Sequence, residues 1–438
     1  MGTAASAARA QRSPLRQTGA FATTAPDTRR LGATTNARVT GSNLVCVRDH
    51  NQLLVLHTIR TRGPSTRRDL SRLTGLTFQT IENISRRLVE AEILESVPTS
   101  TSTSRAHQLA LRPAGANAVG IEVTPEDCRV ALCDLSDGTL VAEQRLSTRA
   151  ANSAADLDEL VLGVQDLIDE SETPITAVAA VGLTVGDSLP TAADGHGPSA
   201  DSALPWHEWL RDGLERRLRM PVLCTSGVVA AAREGQWSGR ISSTDFIYVH
   251  LAAEIRCAII THGQLCTGAR GRGGDIAHTP AVMGGEPCTC GRRGCLHTVL
   301  AEQGLRRVFA TALAFAEPPT LEEIARLAAS DDEAAIAFEA VATYLADALL
   351  PAVRLLDPEI VVIGGRSADA LGETFRSVLE RCVTDRSGGG PGPAVQRARD
   401  GAGGAASAAR AVLYELFTPG LDHLVLGLPD VQPTTPYR

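Results

Sequence analysis

"HTPAVMGGEPCTCGRRGC" (residues 278–295) places three of the chain's 10 cysteines within eight positions, with a histidine at its head. Two crowded thiols could pair as a disulfide; the third would be left over. The spacing H-x9-C-x-C-x4-C instead supplies thiolates and an imidazole, the ligands that Zn²⁺ prefers. His278, Cys288, Cys290 and Cys295 are therefore expected to close a structural zinc site. Gly284, Gly285, Gly291 and Gly294 allow tight turns between the ligands. Four protein ligands leave no open position, so a hydrolytic role for the metal is not expected.

Around this stretch the pattern is one of strands. From Ala116 onward, "AVGIEV", "CRVALCDL" and "GTLVAEQRLS" read as successive strands, followed by a helix over 153–169 and the strand "ITAVAAVGLTV". The order β-β-β-α-β then recurs with "FIYVHLAA", "IRCAIITHG", "QLCTG", helices after 299 and "PEIVVIGG". Two such lobes predict an internal duplication with a cleft between the halves. Residues 386–404 are a loop by composition. The seven cysteines outside the cluster are scattered through apolar segments, as buried thiols are.

The amino-terminal part differs in charge and pattern. Residues 1–112 carry 16 Arg against 7 acids (+9), and the remainder 26 against 43 (−17). There is no lysine. A basic end on an acidic body points to nucleic acid. Leu53, Leu56 and Ile59 share a helical face, and Thr66 with Asp69 forms a capping box for a helix expected to bury Leu70 and Leu73. Gly75 ends that helix, and a second begins at Thr77 with Ile81, Ile84 and Leu88 inward. Helix, turn and helix, followed by the strands "ILESV" and "HQLALR" around a Ser/Thr loop, read as a winged helix-turn-helix. The outward direction of the second helix holds Gln79, Asn83 and Arg86, candidates for base edges, with Glu82 at the flank. Arg67, Arg68 and Arg72 are placed for phosphates, and Arg105 in the wing for a groove or backbone. No uninterrupted apolar run of about 18 residues is present, so no membrane span is expected.

"GARGRGGDIAH" followed by "CTCGRRGCLH" (268–278 and 288–297) resembles the signature of the ROK family of repressors, open reading frames and sugar kinases. The resemblance covers roughly residues 44–418, the winged helix-turn-helix matching the family's repressor branch. It implies an α/β fold, a two-lobed actin-like (RNase H-like) ATPase-type domain behind a winged helix-turn-helix. It also implies that His278 binds zinc through one ring nitrogen and faces a sugar with the other. The two glutamates that usually hold sugar hydroxyls correspond to Asp275 and His297.

Against the kinase branch, the resemblance shows departures. The phosphate loop D-x-G-G-T-K reads "EVTPEDC" (122–128), a second loop reads "AAEIR" (252–256), and the P-G-P-V-D stretch reads "GDSLP" (186–190). The Asn-Asp pair whose aspartate is the general base becomes Ser226 and Gly227; a glycine cannot accept a proton. No ATP use is expected. The domains expected are a basic arm (1–43), the DNA-binding domain (44–112), a first lobe (113–236), a second lobe with the zinc motif (237–418), whose final helix packs back on the first, and a tail (419–438). The reading is a cytoplasmic, non-enzymatic DNA-binding regulator of repressor type, a homodimer or homotetramer on duplex operator DNA. Ser226, Asp275, His278 and His297 would meet a sugar-like effector. The rivals are a sugar kinase with an added DNA-binding domain and a constitutive DNA-binding dimer.

Overall fold

Thr66 and Thr77 set where the second and third helices begin. The computed structural model describes residues 44–98, 107–124, 127–148, 153–185, 206–269, 271–387, 392–398 and 403–419. Helix α1 (Leu44–Arg62) is followed by α2 (Arg67–Thr74) and α3 (Phe78–Glu90). The Thr66 hydroxyl accepts the Asp69 N–H and donates to the Asp69 carboxylate at 2.7 Å, so the acid grips the cap side chain. Gly75 ends α2 at φ +73°, a left-handed geometry that favours glycine. Thr77 accepts from the Thr80 N–H and starts α3.

Strands β1 (Leu94–Pro98) and β2 (His107–Leu111) form the antiparallel wing, with Leu94 opposite Leu111. Ser65 exchanges two backbone hydrogen bonds with Leu109 and ties the α1–α2 turn to the wing. Val55, Leu56, Ile59, Leu70, Ile81, Ile84, Leu88, Leu94 and Leu109 form the core here. Leu73 does not join it: it is 48% exposed. A two-turn helix has a buried stripe about one residue wide, and Leu70 fills it. Residues 1–43, the wing tip with Arg105, the stretch "GDSLP" and residues 420–438 lie outside the described residues.

The first lobe contains β3 (Asn117–Val123), β4 (Cys128–Asp134), β5 (Leu140–Leu146), α4 (Ala154–Glu170), β6 (Val178–Val185), α5 (Trp206–Leu218) and β7 (Val222–Ser226), with strand order β5-β4-β3-β6-β7. The second contains α6 (Gly227–Trp237), β8 (Phe246–Leu251), β9 (Ile255–Thr261), β10 (Gln264–Leu265), α7 (Leu296–Leu300), α8 (Glu302–Ala312), α9 (Leu321–Ala328), α10 (Asp332–Leu356), β11 (Ile360–Gly364), α11 (Arg366–Arg386), β12 (Ala394–Arg397) and then α12 (Ala405–Phe417). Its order, β10-β9-β8-β11-β12, repeats the first position for position. In each sheet three strands run antiparallel and the rest are parallel.

Helices α4 and α5 cover one face of the first sheet, burying Leu157, Leu160, Val164 and Leu210 against Val119, Ile121 and Leu183. The other face takes α12, whose Ala409, Val412 and Leu413 meet Ala118 and Ala180. Gly120 and Gly182, paired across β3 and β6, make this approach possible. A Cβ at either would fall 1.8 Å from the Ala405 carbonyl or 2.2 Å from that of Ala408. The same core continues from α12 into α1 and α3, so the helix-turn-helix shares its interior with the first lobe.

Helix α6 packs Val228, Ala231 and Ala232 on the second sheet beside Phe246, Tyr248 and Val362. A lobe boundary at 236 falls one residue before the end of α6, which packs one face on the second sheet and another on α12. The 25-residue α10 is long and apolar enough to cross a membrane. Here it buries Phe338, Val341, Leu345 and Leu349 in the second lobe's core, beside Phe309 and Phe375.

Candidate metal centre, cleft and DNA-facing surface

After β10 the chain runs through glycines to the cysteine cluster. A Cβ at Gly294, at φ +69°, would lie 1.7 Å from the Val282 carbonyl, so only glycine lets the loop fold back here. The Cys288 N–H donates to the Arg292 carbonyl at 2.8 Å and the Gly291 N–H to the Cys288 carbonyl at 2.9 Å, making a tight knuckle. The Leu296 and His297 N–H groups donate to Thr279 and Ala277, clamping the histidine segment against the start of α7.

These turns bring one ligand atom each from His278, Cys288, Cys290 and Cys295 within 4.8 Å of one another. Cys288 Sγ lies 3.5 Å from His278 Nδ1, and Cys290 Sγ 3.6 Å from Cys295 Sγ. Tetrahedral ligands about 2.3 Å from a zinc ion would stand roughly 3.8 Å apart, so the group could hold such an ion with little adjustment. The donor chemistry agrees. The Arg292 N–H brings the Cys290 thiol down to about 7. Burial and the neighbouring sulfurs push Cys295 up to about 12. Crowded thiols cannot all ionise without a cation among them.

The candidate ligand residues are only partly brought together. The His278 and His297 rings are 6.3 Å apart. His297 lines a cavity of about 410 Å³ with Glu254, Glu302, Gln303, Arg307 and Arg366. Its Nδ1 is buried without a hydrogen-bond partner, and burial lowers its pKa. Asp275 and Ser226 do not line this cavity. Asp275 is held by Arg272 at 2.9 Å. Ser226 ends β7 at the start of α6.

On α3, Gln79, Asn83 and Arg86 are exposed, and Arg86 Nη2 donates to Asn83 Oδ1 at 3.3 Å. Arg68 is exposed as well. Arg67 is half-buried and pairs with Glu82 at 2.8 Å. Arg72 pairs with Asp69. The expectation of buried single cysteines holds for Cys128, Cys133, Cys257 and Cys382; Cys266 is exposed and Cys224 half-buried.

The sequence pattern of the ROK family matches residues 118–412. The chain belongs to the ROK family. It is 22% identical over 357 residues to the DNA-binding transcriptional dual regulator NagC of Escherichia coli, covering 79% of this chain and 87% of that protein. It is 28% identical over 192 residues to a glucokinase of Halalkalibacterium halodurans, covering 40% and 58%. Its fold is similar to that of a ROK family transcriptional regulator described as a homolog of the E. coli MLC protein. The TM-score is 0.70 at 20% identity, covering 86% of this chain and 98% of that one.

Within this ROK fold, Thr124 and Asp127 meet between β3 and β4. Thr124 donates both its N–H and its hydroxyl to the Asp127 carbonyl at 2.9 Å. The buried Asp127 carboxylate is gripped by Arg129 and Arg145. Among the described residues, Gly227, which the resemblance places at the kinases' general base, has only the Gly403 carbonyl within 4 Å of where its Cβ would stand, at 3.8 Å.

Sequence reasoning passed over two features. Glu122, where the ROK kinases' phosphate loop carries aspartate, is pushed by burial up to about 7. A buried polar network also joins α6 to α12. Arg410 pairs with Glu234 at 2.6 Å and donates to the Gly138 carbonyl, while Ser407 donates to Glu234. Arg233 pairs with Glu415 at 2.8 Å. Arg60 of α1 donates to the Trp237 carbonyl at 2.8 Å and stacks over its ring. The available signal was charged residues set in alanine-rich helices, "AAAREGQW" and "SAARAV".

Proposed function

We propose that this ROK protein is a sequence-specific transcriptional regulator, a cytoplasmic repressor that binds duplex operator DNA as a homodimer or homotetramer. One observation carries the reading: the exposed face of α3, where Gln79, Asn83 and Arg86 stand on the second helix of a helix-turn-helix. Such side chains suit adenine and guanine edges in the major groove. The similarity to NagC spans most of both proteins, whereas that to the glucokinase spans less than half of this chain.

The same reading makes the ROK domain a sensor without kinase activity. Gly227 offers no base, and "EVTPEDC" lacks the adjacent glycines and the lysine of the kinases' phosphate loop. His278, Cys288, Cys290 and Cys295 would hold a structural zinc ion, which fixes the His297 segment beside the cavity. His297, with its unpartnered Nδ1, would hydrogen-bond a sugar-like effector there, with Asp275 released from Arg272 as a second contact. The effector would alter DNA affinity to the extent that it binds two lobe arrangements unequally. Selection of bound sequences from a random duplex library with the full chain tests the reading: enrichment of a two-fold symmetric site is expected. No enrichment, together with sugar-dependent ATP turnover, would establish the kinase reading instead.

A further inference from the structure

We propose that Phe78 is a specificity-determining residue that contacts the 5-methyl group of a thymine in the operator. The proposal rests on the DNA-binding reading. Phe78 is 56% exposed, more than any other described phenylalanine: Phe315 is 43% exposed, and Phe246, Phe309, Phe338, Phe375 and Phe417 are at most 3% exposed. In a chain with only 3% aromatic residues, a phenylalanine left in water on the first turn of α3 calls for a reason.

Local structure does not supply one. Phenylalanine is a mediocre helix former, and the cap of this helix is made by Thr77. The core beneath α3 is filled by Ile81, Ile84 and Leu88 without the ring. Helical geometry puts Phe78 on the flank shared with Glu82, next to the outward row of Gln79, Asn83 and Arg86. Arg67 holds the Glu82 carboxylate, so the negative charge beside the ring is compensated.

The outer surface of α2 and α3 is therefore polar and basic with few apolar points, Phe78 the most exposed of them ahead of Leu73 at 48% and Val89 at 36%. Arg68 and Arg86 are exposed close by in sequence and offer charge to an anionic partner. A duplex major groove has the complementary character: phosphates and base-edge donors and acceptors, with the thymine methyl as its apolar feature. A protein partner for a lone ring would instead present a broad apolar patch, which the row of Gln79, Asn83 and Arg86 does not match.

The test uses the full-length protein and its selected operator, with each thymine of a half-site replaced singly by uracil, which removes only the methyl group. Binding is read by fluorescence anisotropy. One position should weaken the parent protein by roughly fourfold, the factor for losing one buried methyl-sized group. Phe78→Ala should bind the thymine and uracil forms of that site alike, and Phe78→Leu should keep part of the discrimination. Because the ring is exposed, the melting temperature should not move. The proposal is overturned if the parent ignores every uracil, or if Phe78→Ala retains the same uracil penalty. It is also overturned if Phe78→Ala changes the oligomeric state without any uracil effect, since the ring would then face a second copy. Failure to select any operator would remove the DNA-binding reading itself, and this proposal with it.

Discussion

The Cys288 knuckle and the α6–α12 junction both crowd ionisable groups, and they resolve the crowding in opposite ways. At the junction each charge meets its opposite within the protein: Arg410 with Glu234, Arg233 with Glu415, with hydrogen bonds from Ser407 and to Gly138. Among the described residues, the knuckle gathers three sulfurs and an imidazole with a single cation facing them, the Arg292 guanidinium hydrogen-bonded to Cys290. One region carries its own neutralisation; the other sets one arginine against three thiols and could hold an ion. The first should therefore answer to mutation alone, and the second also to chelation.

The largest effect should come from breaking the knuckle. Cys290→Ser, or prolonged chelation, should take the protein from one zinc per chain to none, measured by elemental analysis, because a tetrahedral site rarely survives loss of a ligand. The loop from 266 to 295 should become a site of rapid proteolysis, while fragments containing α6 and α12 stay resistant. A metal-free protein with an unchanged digestion pattern would show that the knuckle supports itself.

This contrast also explains what could be read from sequence. The knuckle was legible because ligand spacing is a local property, and the helix-turn-helix because Thr66, Gly75 and Thr77 act on neighbouring backbone. The recurring β-β-β-α-β succession followed from alternation and turns, but β12 falls inside 386–404, which reads as a loop because its four residues sit among glycines and prolines. The junction was not legible, since the partners Arg410 and Glu234 are 176 positions apart. For the same reason the Gly120–Gly182 approach of α12 and the Arg67–Glu82 pair escaped notice. Leu73 was misplaced because periodicity gives a face but not its width. Asp275 was matched to a ligand role by position, which says nothing of Arg272.

Next in size is the junction itself. Glu234→Ala leaves the Arg410 guanidinium buried without its partner, and breaking such a pair costs about 3–5 kcal/mol. Urea unfolding should show that loss with zinc content unchanged. Replacing both partners, Glu234→Leu with Arg410→Met, should recover much of it, because apolar side chains carry no desolvation cost there. If the double variant were no more stable than the single, the network would be valued for geometry rather than charge.

Glu122 is the intermediate case, an acid between the two regimes. Its register neighbours are Arg129 on β4 and Thr184 on β6, and Asp127 and Glu143 add negative charge nearby. Burial raises its pKa from 4.5 to about 7. A raised carboxyl pKa means that the folded state binds its proton more tightly than the unfolded chain. The resulting stability is fully present below pH 4.5 and is lost as pH rises through about 7. Glu122→Gln should match the parent near pH 4 and exceed it at pH 8 by up to about 3 kcal/mol, read from unfolding midpoints across that range. Identical pH profiles for the two proteins would mean that a nearby cation compensates the carboxylate.

The smallest effect belongs to the half-exposed pair Arg67–Glu82, which neutralises charge as the junction does but at the surface. Exposed pairs contribute at most about 1 kcal/mol to stability, so neither Arg67→Ala nor Glu82→Ala should shift the melting temperature measurably. Their consequence should appear on DNA. With Glu82 no longer held, its carboxylate faces the phosphates, and Arg67→Ala should weaken all sequences by roughly two- to fivefold without changing preference among them. The double variant Arg67→Ala with Glu82→Ala should return close to parental affinity, because the repelling charge is gone along with its guard. A direct phosphate contact by Arg67 predicts otherwise: the double variant would stay weak, and its dependence of affinity on salt would fall by about one ion. Titrations at several salt concentrations separate the two, and so decide whether this arginine holds DNA or holds off a neighbouring acid.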